Sequence, residues 1–344
     1  MLTFIVLLGC RDQTPDLPRA DTAVPIDADG DGFDQDSDCD DTDARLFPYD
    51  TDGDSVPDAC GWRDVGLGWA HSCAIDSAGA IHCWGIDDGS EFDFAQIVDL
   101  PQGTFTAISA GWAHSCALTS DGEVACWGIN EGNEYDFGMI TDAPEGTFIS
   151  VSVDGVHSCA VRTSGEVVCW GISTPGQEME HGQVNLAPTG TYTTTSAGHY
   201  HQCALSTART LVCWGRDSHG QVSDTPQGTF SFIGGGCRHN CAMDDDGAVS
   251  CWGVDDGIDE KDLGQVRLTP EGTFTALSVG GYHNCTLDAE GAITCWGSDE
   301  SGEISDVPAG AFTRIFSGAL HSCALDGDGQ LHCWGNNDYG QTDI

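Results

Sequence analysis

The sequence predicts an all-β fold, a seven-bladed β-propeller, from three observations. Fourteen of the eighteen cysteines form seven pairs, the second always ten residues after the first: Cys73/Cys83, Cys116/Cys126, Cys159/Cys169, Cys203/Cys213, Cys241/Cys251, Cys285/Cys295 and Cys323/Cys333. A Trp-Gly follows each second cysteine, and the pairs recur at intervals of 43, 43, 44, 38, 44 and 38 residues. Between them runs a second phrase, PQGTFTAIS from Pro101 and PEGTFTALS from Pro270 among others. A unit of about forty residues is one supersecondary element that cannot bury its own core, so neighbouring units must stack.

Within each unit two short alternating runs flank a turn, which is a hairpin pattern. Six of the seven units place glycine six residues after the first cysteine: Gly79, Gly122, Gly165, Gly247, Gly291 and Gly329. A three-residue hairpin loop ends on a left-handed residue, which glycine adopts at least cost. That loop sets the register, so Asp76 faces Ala80 and Cys73 faces Cys83, with their Cβ atoms close enough for a cross-strand bridge. Disulfides suit this spacing better than zinc, whose paired cysteines usually lie two to four residues apart; buried free thiols are the other alternative. The fourth unit has Arg209 at the glycine position, and a strained or differently built turn is expected there.

In the second phrase Pro-x-Gly makes a turn and the aromatic residue opens another strand. The last unit stops at Ile344 before such a strand, whereas GWRDVGLGWAHSC from Gly61 shares the register of GTFTAISAGWAHSC. Each unit is the length of a four-stranded blade, and the strand from Trp62 to Val65 is expected to complete the seventh. The propeller, residues 61–344, is then closed by an N-terminal strand that leaves no exposed sheet edge.

The phrases G-x-x-H-S-C-A-L, D-x-x-G-x-V and C-W-G resemble the repeat of the regulator of chromosome condensation family, which is a seven-bladed β-propeller. The resemblance covers about residues 61–344. This chain departs from the family pattern by carrying cysteine at both positions in all seven units. That form is similar to the one on secreted or surface-anchored bacterial proteins. The resemblance implies a protein-binding role through one propeller face. It offers guanine-nucleotide exchange, as in the founding member, as the alternative.

The N-terminal residues read differently. Residues 1–10 hold an apolar run, and Leu7-Leu8-Gly9-Cys10 resembles a bacterial lipobox with Cys10 as the lipidated residue. The run is short and has no positive start, so another secretory signal or coincidence are the alternatives. Residues 11–26 form a polar tether, and residues 27–60 an Asp-rich segment. Asp27, Asp29, Asp31 and Gly32 fall at positions one, three, five and six of a calcium loop, with Asp38 at twelve and Asp36 within it. Asp50, Asp52, Asp54 and Asp58 offer a second set, with Ser55 in place of the turn glycine. Short carboxylates at alternate positions converge on a hard cation, so calcium is the expected cofactor; a disordered acidic spacer is the alternative. The segment resembles the acidic calcium repeats of thrombospondin type, and Cys39 and Cys60 are expected to bridge it.

Eighteen cysteines in paired spacing point to an oxidising compartment, extracellular or periplasmic. A net charge of −44 with one lysine repels nucleic acid and anionic membranes. Membrane contact is therefore expected only through a lipid anchor, and the partner of this monomer is expected to be an unidentified protein. Seven histidines, His71, His114, His157, His201, His239, His283 and His321, sit two residues before the first cysteines. They are expected to pack inside the blades and satisfy neighbouring backbone groups, as are the CWG tryptophans to fill the space between blades. No nucleophile elbow, zinc-protease helix or phosphate loop is present, so no enzyme activity is expected. Asymmetry enters in the loops after CWG, where GSEFDF and GNEYDF place Phe92, Phe94, Tyr135 and Phe137 beside acidic groups on adjacent blades. Aromatics among carboxylates suit a partner surface or a cationic ligand; an ordinary outer strand with an apolar inner face is the alternative. Cys237 is the odd thiol.

Overall fold

A computed structural model describes residues 61–344, except Glu91, Glu131, Asn133, Glu134 and Glu178, together with the backbone of two short strands, Pro48–Tyr49 and Ala59–Cys60. Cys10, Asp27, Asp29, Asp31, Asp36, Asp38, Cys39, Asp50, Asp52, Asp54 and Asp58 lie outside the described residues, as does the side chain of Cys60.

Alternating apolar runs separated by Pro-Gly and Asp-Gly turns can only meander, and each repeat does so as one antiparallel sheet. Seven such sheets of three strands follow one another around the ring. In blade 1 the inner strand is Trp62–Leu67, the middle strand His71–Asp76 and the outer strand Ile81–Gly85. The inner strands of blades 2 to 7 are Phe105–Ala110, Phe148–Val153, Tyr192–Gly198, Phe232–Gly235, Ala276–Val279 and Phe312–Ser317.

Two expectations are corrected. The blades have three strands, and turns and bends occupy the stretch where a fourth was expected. The strand from Trp62 does not complete the seventh blade; it pairs with the hairpin that follows it, Val65 opposite Ala74 and Gly66 opposite Cys73. Blade 7 is contiguous, from Phe312 to Gly335. The reason is loop length: Gly68, Trp69 and Ala70 alone separate inner from middle strand, closed by Gly68 N–H to His71 O at 2.9 Å. A short closure costs less chain entropy than one across the long loop after the outer strand.

The cysteine register is as read from the turn, and in every blade the two cysteines face each other across the middle and outer strands. Disulfides join Cys73 to Cys83, Cys116 to Cys126, Cys159 to Cys169 and Cys203 to Cys213. They likewise join Cys241 to Cys251, Cys285 to Cys295 and Cys323 to Cys333, so neither the zinc nor the free-thiol alternative applies to these fourteen. Within each bridge the two partners differ in depth. The middle-strand cysteines are fully buried, whereas Cys83, Cys126, Cys169, Cys213, Cys251, Cys295 and Cys333 on the outer strands are half-buried, at the blade's outer edge.

The Arg209 turn has the same build as the others, with Arg209 at φ 66° and its N–H on Ser206 O at 2.8 Å. A left-handed arginine costs backbone energy that glycine would not. Its guanidinium offsets this by pairing with Asp245 of the next blade and by Nε donation to Phe230 O at 3.2 Å.

The core lies between blades. Cys73, Ile75 and Ile81 of blade 1 pack against Phe105, Ile108, Ala117 and Trp127 of blade 2, and the pattern recurs around the ring. Blade 7 meets blade 1 through Cys323 against Val65, Leu67 and Ala74. Directional bonds pin the same seams. At six of them the N–H of the aromatic in the second phrase donates to the hairpin-turn carbonyl of the preceding blade, as Phe105 does to Gly79 at 2.8 Å. Each CWG indole donates to a carbonyl of the preceding blade's loop, as Trp127 Nε1 does to Gln96 O at 2.8 Å. Trp84 closes this series by reaching Gln341 O at 3.0 Å.

Candidate binding site at the channel mouth

The seven histidines open the middle strands, and each reaches across a seam. His71 Nε2 meets Ser115 Oγ at 2.8 Å, His114 meets Ser158 at 2.7 Å and His283 meets Ser322 at 2.7 Å. His157 bonds Gln202 Oε1 at 3.0 Å, while His201 and His239 bond the Oδ1 atoms of Asn240 and Asn284 at 2.8 Å. His321 returns to Ser72 at 2.8 Å and closes the circle. The partner is thus a side chain of the next blade, not the backbone group anticipated. The amide partners fix the tautomer: Asn240 Nδ2 donates to Gln221 O at 3.0 Å, so its Oδ1 accepts from His201 Nε2–H. The seven Nδ1 atoms are buried without partners, and a second proton would have no acceptor. Burial accordingly lowers these imidazoles, to about 4 for His71, His157 and His239 and to about 3 for His114, His283 and His321; His201 is lowered for the same reason.

Directly above this ring the inner-to-middle turns surround a channel of about 530 Å³ lined by all seven blades. Here sevenfold regularity stops. The residues two before each histidine are Trp69, Trp112, Gly155, His199, Cys237, Gly281 and Ala319. The residue three before is glycine in six repeats and Asp154 in the third.

Blades 7, 1 and 2 form an aromatic arc on this rim. Trp69 is held between Phe92 at 5.4 Å and Tyr339 at 5.6 Å between ring centroids. Trp112 is held edge-on by Phe94 at 5.5 Å and Tyr135 at 5.3 Å. Of the loop aromatics named from sequence, Tyr135 is 37% exposed and Phe92 half-buried. Phe94 is buried with Met139, and Phe137 packs against that cluster, so these two build the loop base.

Blades 3 to 6 carry polar groups. Asp154 lies 3.5 Å from His199 Nδ1, and His199 stacks edge-on against Tyr200 at 4.1 Å. Arg216 lies over Tyr200 at 5.5 Å and Lys261 over Tyr282 at 5.4 Å, while Arg238 pairs with Asp259 at 2.6 Å. The free thiol, Cys237, lines the channel, bonded to Tyr282. Burial, reinforced by the negative charge of Asp154, pushes it up to about 12, so it stays protonated at neutral pH. The Tyr282 phenol is raised by Cys237 and by burial.

Sequence reasoning found Phe92 and Tyr135 but missed Trp69, Trp112, Asp154 and His199. The signal was available: the two columns that lie two and three residues before the repeat histidine largely line the channel, and the nearer one is irregular from repeat to repeat.

The family model described as the regulator of chromosome condensation (RCC1) repeat matches residues 105–133 and 312–341. No curated protein matches the sequence. Among solved structures, the ectodomain of the Physcomitrella patens receptor kinase CR4 is 23% identical with a TM-score of 0.62, over 79% of this chain and 73% of that one. The CRINKLY ectodomain of the Arabidopsis thaliana receptor kinase ACR4 is 22% identical with a TM-score of 0.60, over 79% and 96%. Prp20p of Saccharomyces cerevisiae is 18% identical with a TM-score of 0.58, over 76% and 81%. At these identities the likeness is one of fold, and in fold the chain resembles receptor ectodomains. The protein is a disulfide-stapled seven-bladed β-propeller, and two of its blades match the regulator of chromosome condensation repeat.

Proposed function

We propose that this chain is a non-enzymatic binding propeller of an oxidising compartment, displayed at a cell surface or in a periplasm, and that it holds a protein partner at the channel mouth. The observation that carries the reading is the break in symmetry at that mouth. Aromatic rings gather on blades 7, 1 and 2, and polar groups on blades 3 to 6, above a ring of histidines that repeats seven times without change of role. Rigid, half-exposed aromatics are the groups that anchor protein interfaces. Seven disulfides support the compartment, since such bonds persist where thiols are not kept reduced.

The reading is completed by a lipid on Cys10 and a calcium-ordered stalk over residues 27–60, supported by their residue spacing. Chelation is then expected to raise protease cleavage within 27–60 while the propeller's melting stays unchanged; joint loss of both would join the stalk to the propeller core.

A photo-crosslinking residue at position 135, on the mouth, and another at Ile149, 53% exposed at the start of the blade 3 inner strand, test the binding reading on intact cells. The expected result is one discrete protein adduct from position 135 and none from 149. Equal labelling from both, or none, counts against the mouth as the binding face.

A further inference from the structure

Asp154 stands where six repeats have glycine, and the local geometry shows why glycine is the rule. A Cβ on Gly236 would lie 2.6 Å from Gly280 O, and one on Gly318 would lie 2.8 Å from Gly68 O. The fold accommodates Asp154 by loosening its turn. Asp154 N–H reaches His157 O at 3.3 Å, against 2.9 Å for Gly68, Gly111 and Gly236 and 2.8 Å for Gly280 and Gly318.

The seams loosen as well. At five of them a backbone N–H on the mouth donates to a carbonyl of the next blade: Trp69 to Gly111 at 3.2 Å, His199 to Gly236 at 3.4 Å, Cys237 to Gly281 at 3.0 Å, Gly281 to Gly318 at 3.1 Å and Ala319 to Gly68 at 3.1 Å. Among the described residues no such bond joins Trp112 to Asp154 or Gly155 to Gly198, the two seams that flank Asp154. A local rule broken at a cost in backbone bonds marks a position kept for something other than stability.

The surroundings say what that is. Among the described residues lining the channel, Asp154 is the one acidic side chain. On one side stands Trp112, with Trp69 beyond it, held by edge contacts to Phe94, Tyr135 and Phe92 and by a tilted contact to Tyr339. On the other stands His199. Tyr200 and Tyr282 already have Arg216 and Lys261 over their faces, whereas the cation–ring contacts among the described residues do not include Trp69 or Trp112. A carboxylate and two indole rings lining one channel favour a cation by charge and by the ring quadrupoles together. The net charge of −44 attracts cations to the protein as a whole.

We infer that the channel mouth binds an organic cation, an ammonium or guanidinium head group, against Asp154 and the faces of Trp69 and Trp112. This rests on the binding reading above and names the chemistry the site selects. The head group arrives either on a partner's lysine or arginine side chain or as a free amine.

Tryptophan fluorescence of the intact protein titrated with three probes separates the outcomes: the peptide Ac-Gly-Lys-Gly-NH2, its Nε-acetylated twin, and n-butylammonium. Saturable quenching is expected with the charged probes in the millimolar range or tighter, and at least about tenfold weaker with the acetylated peptide. Tighter binding of the lysine peptide than of n-butylammonium assigns the head group to a partner side chain, and the reverse to a free amine. Asp154→Asn and Asp154→Gly are each expected to weaken the charged probes at least about tenfold. The glycine variant has the residue of the other repeats, so its melting reports directly whether the fold is intact. Trp112→Leu should weaken binding similarly.

Three results overturn the inference: equal binding of the acetylated twin, undiminished binding by both Asp154 variants, or no quenching by either charged probe. A discrete adduct from position 135 together with any of these would remove the cation assignment and leave the binding reading standing.

Discussion

Two columns of the repeat, two residues apart, behave in opposite ways. The histidine column makes the same bond seven times, from a buried Nε2 to a side chain of the next blade. The column two before it holds tryptophan, glycine, histidine, cysteine and alanine in an order with no periodicity, and the column before that breaks its glycine once, at Asp154. Depth accounts for the difference. A buried polar group without a partner is expensive, so every blade must offer its neighbour the same donor and acceptor. At the mouth, water can satisfy what the protein does not, so the blades are released to differ. Repetition therefore marks the scaffold, and departure from it marks the surface where recognition is built.

Acidification should separate the columns most strongly. The ring histidines are held low in the folded state, while in the unfolded chain they titrate near 6.5. Between about pH 6.5 and the native values near 3 to 4 the unfolded state binds more protons, so stability is complete above this window and falls as pH falls through it. The slope approaches about 1.4 kcal/mol per pH unit for each histidine involved. Urea midpoints measured from pH 7 to pH 4 should drop steeply; a flat profile would mean the ring is accessible to protons.

Removing residues 339–344 should be next in size. Gln341 O accepts both Ser72 Oγ at 2.7 Å and Trp84 Nε1 at 3.0 Å, and Tyr339 supports Trp69. Two donors left unpaired at the 7–1 seam, plus the lost packing, should cost about 4–8 kcal/mol and lower Tm by more than about 10 °C. An unchanged calorimetric Tm would show that the seam is held by the histidine bond and the inner strands alone.

Replacing one bridge, Cys241 and Cys251 together by alanine, should cost about 3 kcal/mol. The bridge lies within a single hairpin, so unfolding should remain one cooperative transition with ring closure unaffected. A split transition would show that the bridges also couple blades.

Asp154→Gly should have the smallest effect on stability. If the two missing seam bonds form, they contribute about 1 kcal/mol each, partly offset by the entropic cost of a glycine of about 0.5–1 kcal/mol, for a net gain of about 1 kcal/mol. A large loss of stability would mean that Asp154 is part of the scaffold column after all.

The sequence by itself determined the repeat count, the disulfide register and the all-β class, because each follows from local chemistry. A glycine at the left-handed turn position puts Cys73 opposite Cys83 whatever surrounds the hairpin. Which hairpin the Pro-x-Gly-Thr-Phe strand would join, what the histidines would bond, and that Trp69, Trp112 and Asp154 would share one cavity were decided only by the tertiary structure. These depend on which groups of different blades meet when the ring closes, and sequence spacing carries little information about contacts across 44 or 249 residues.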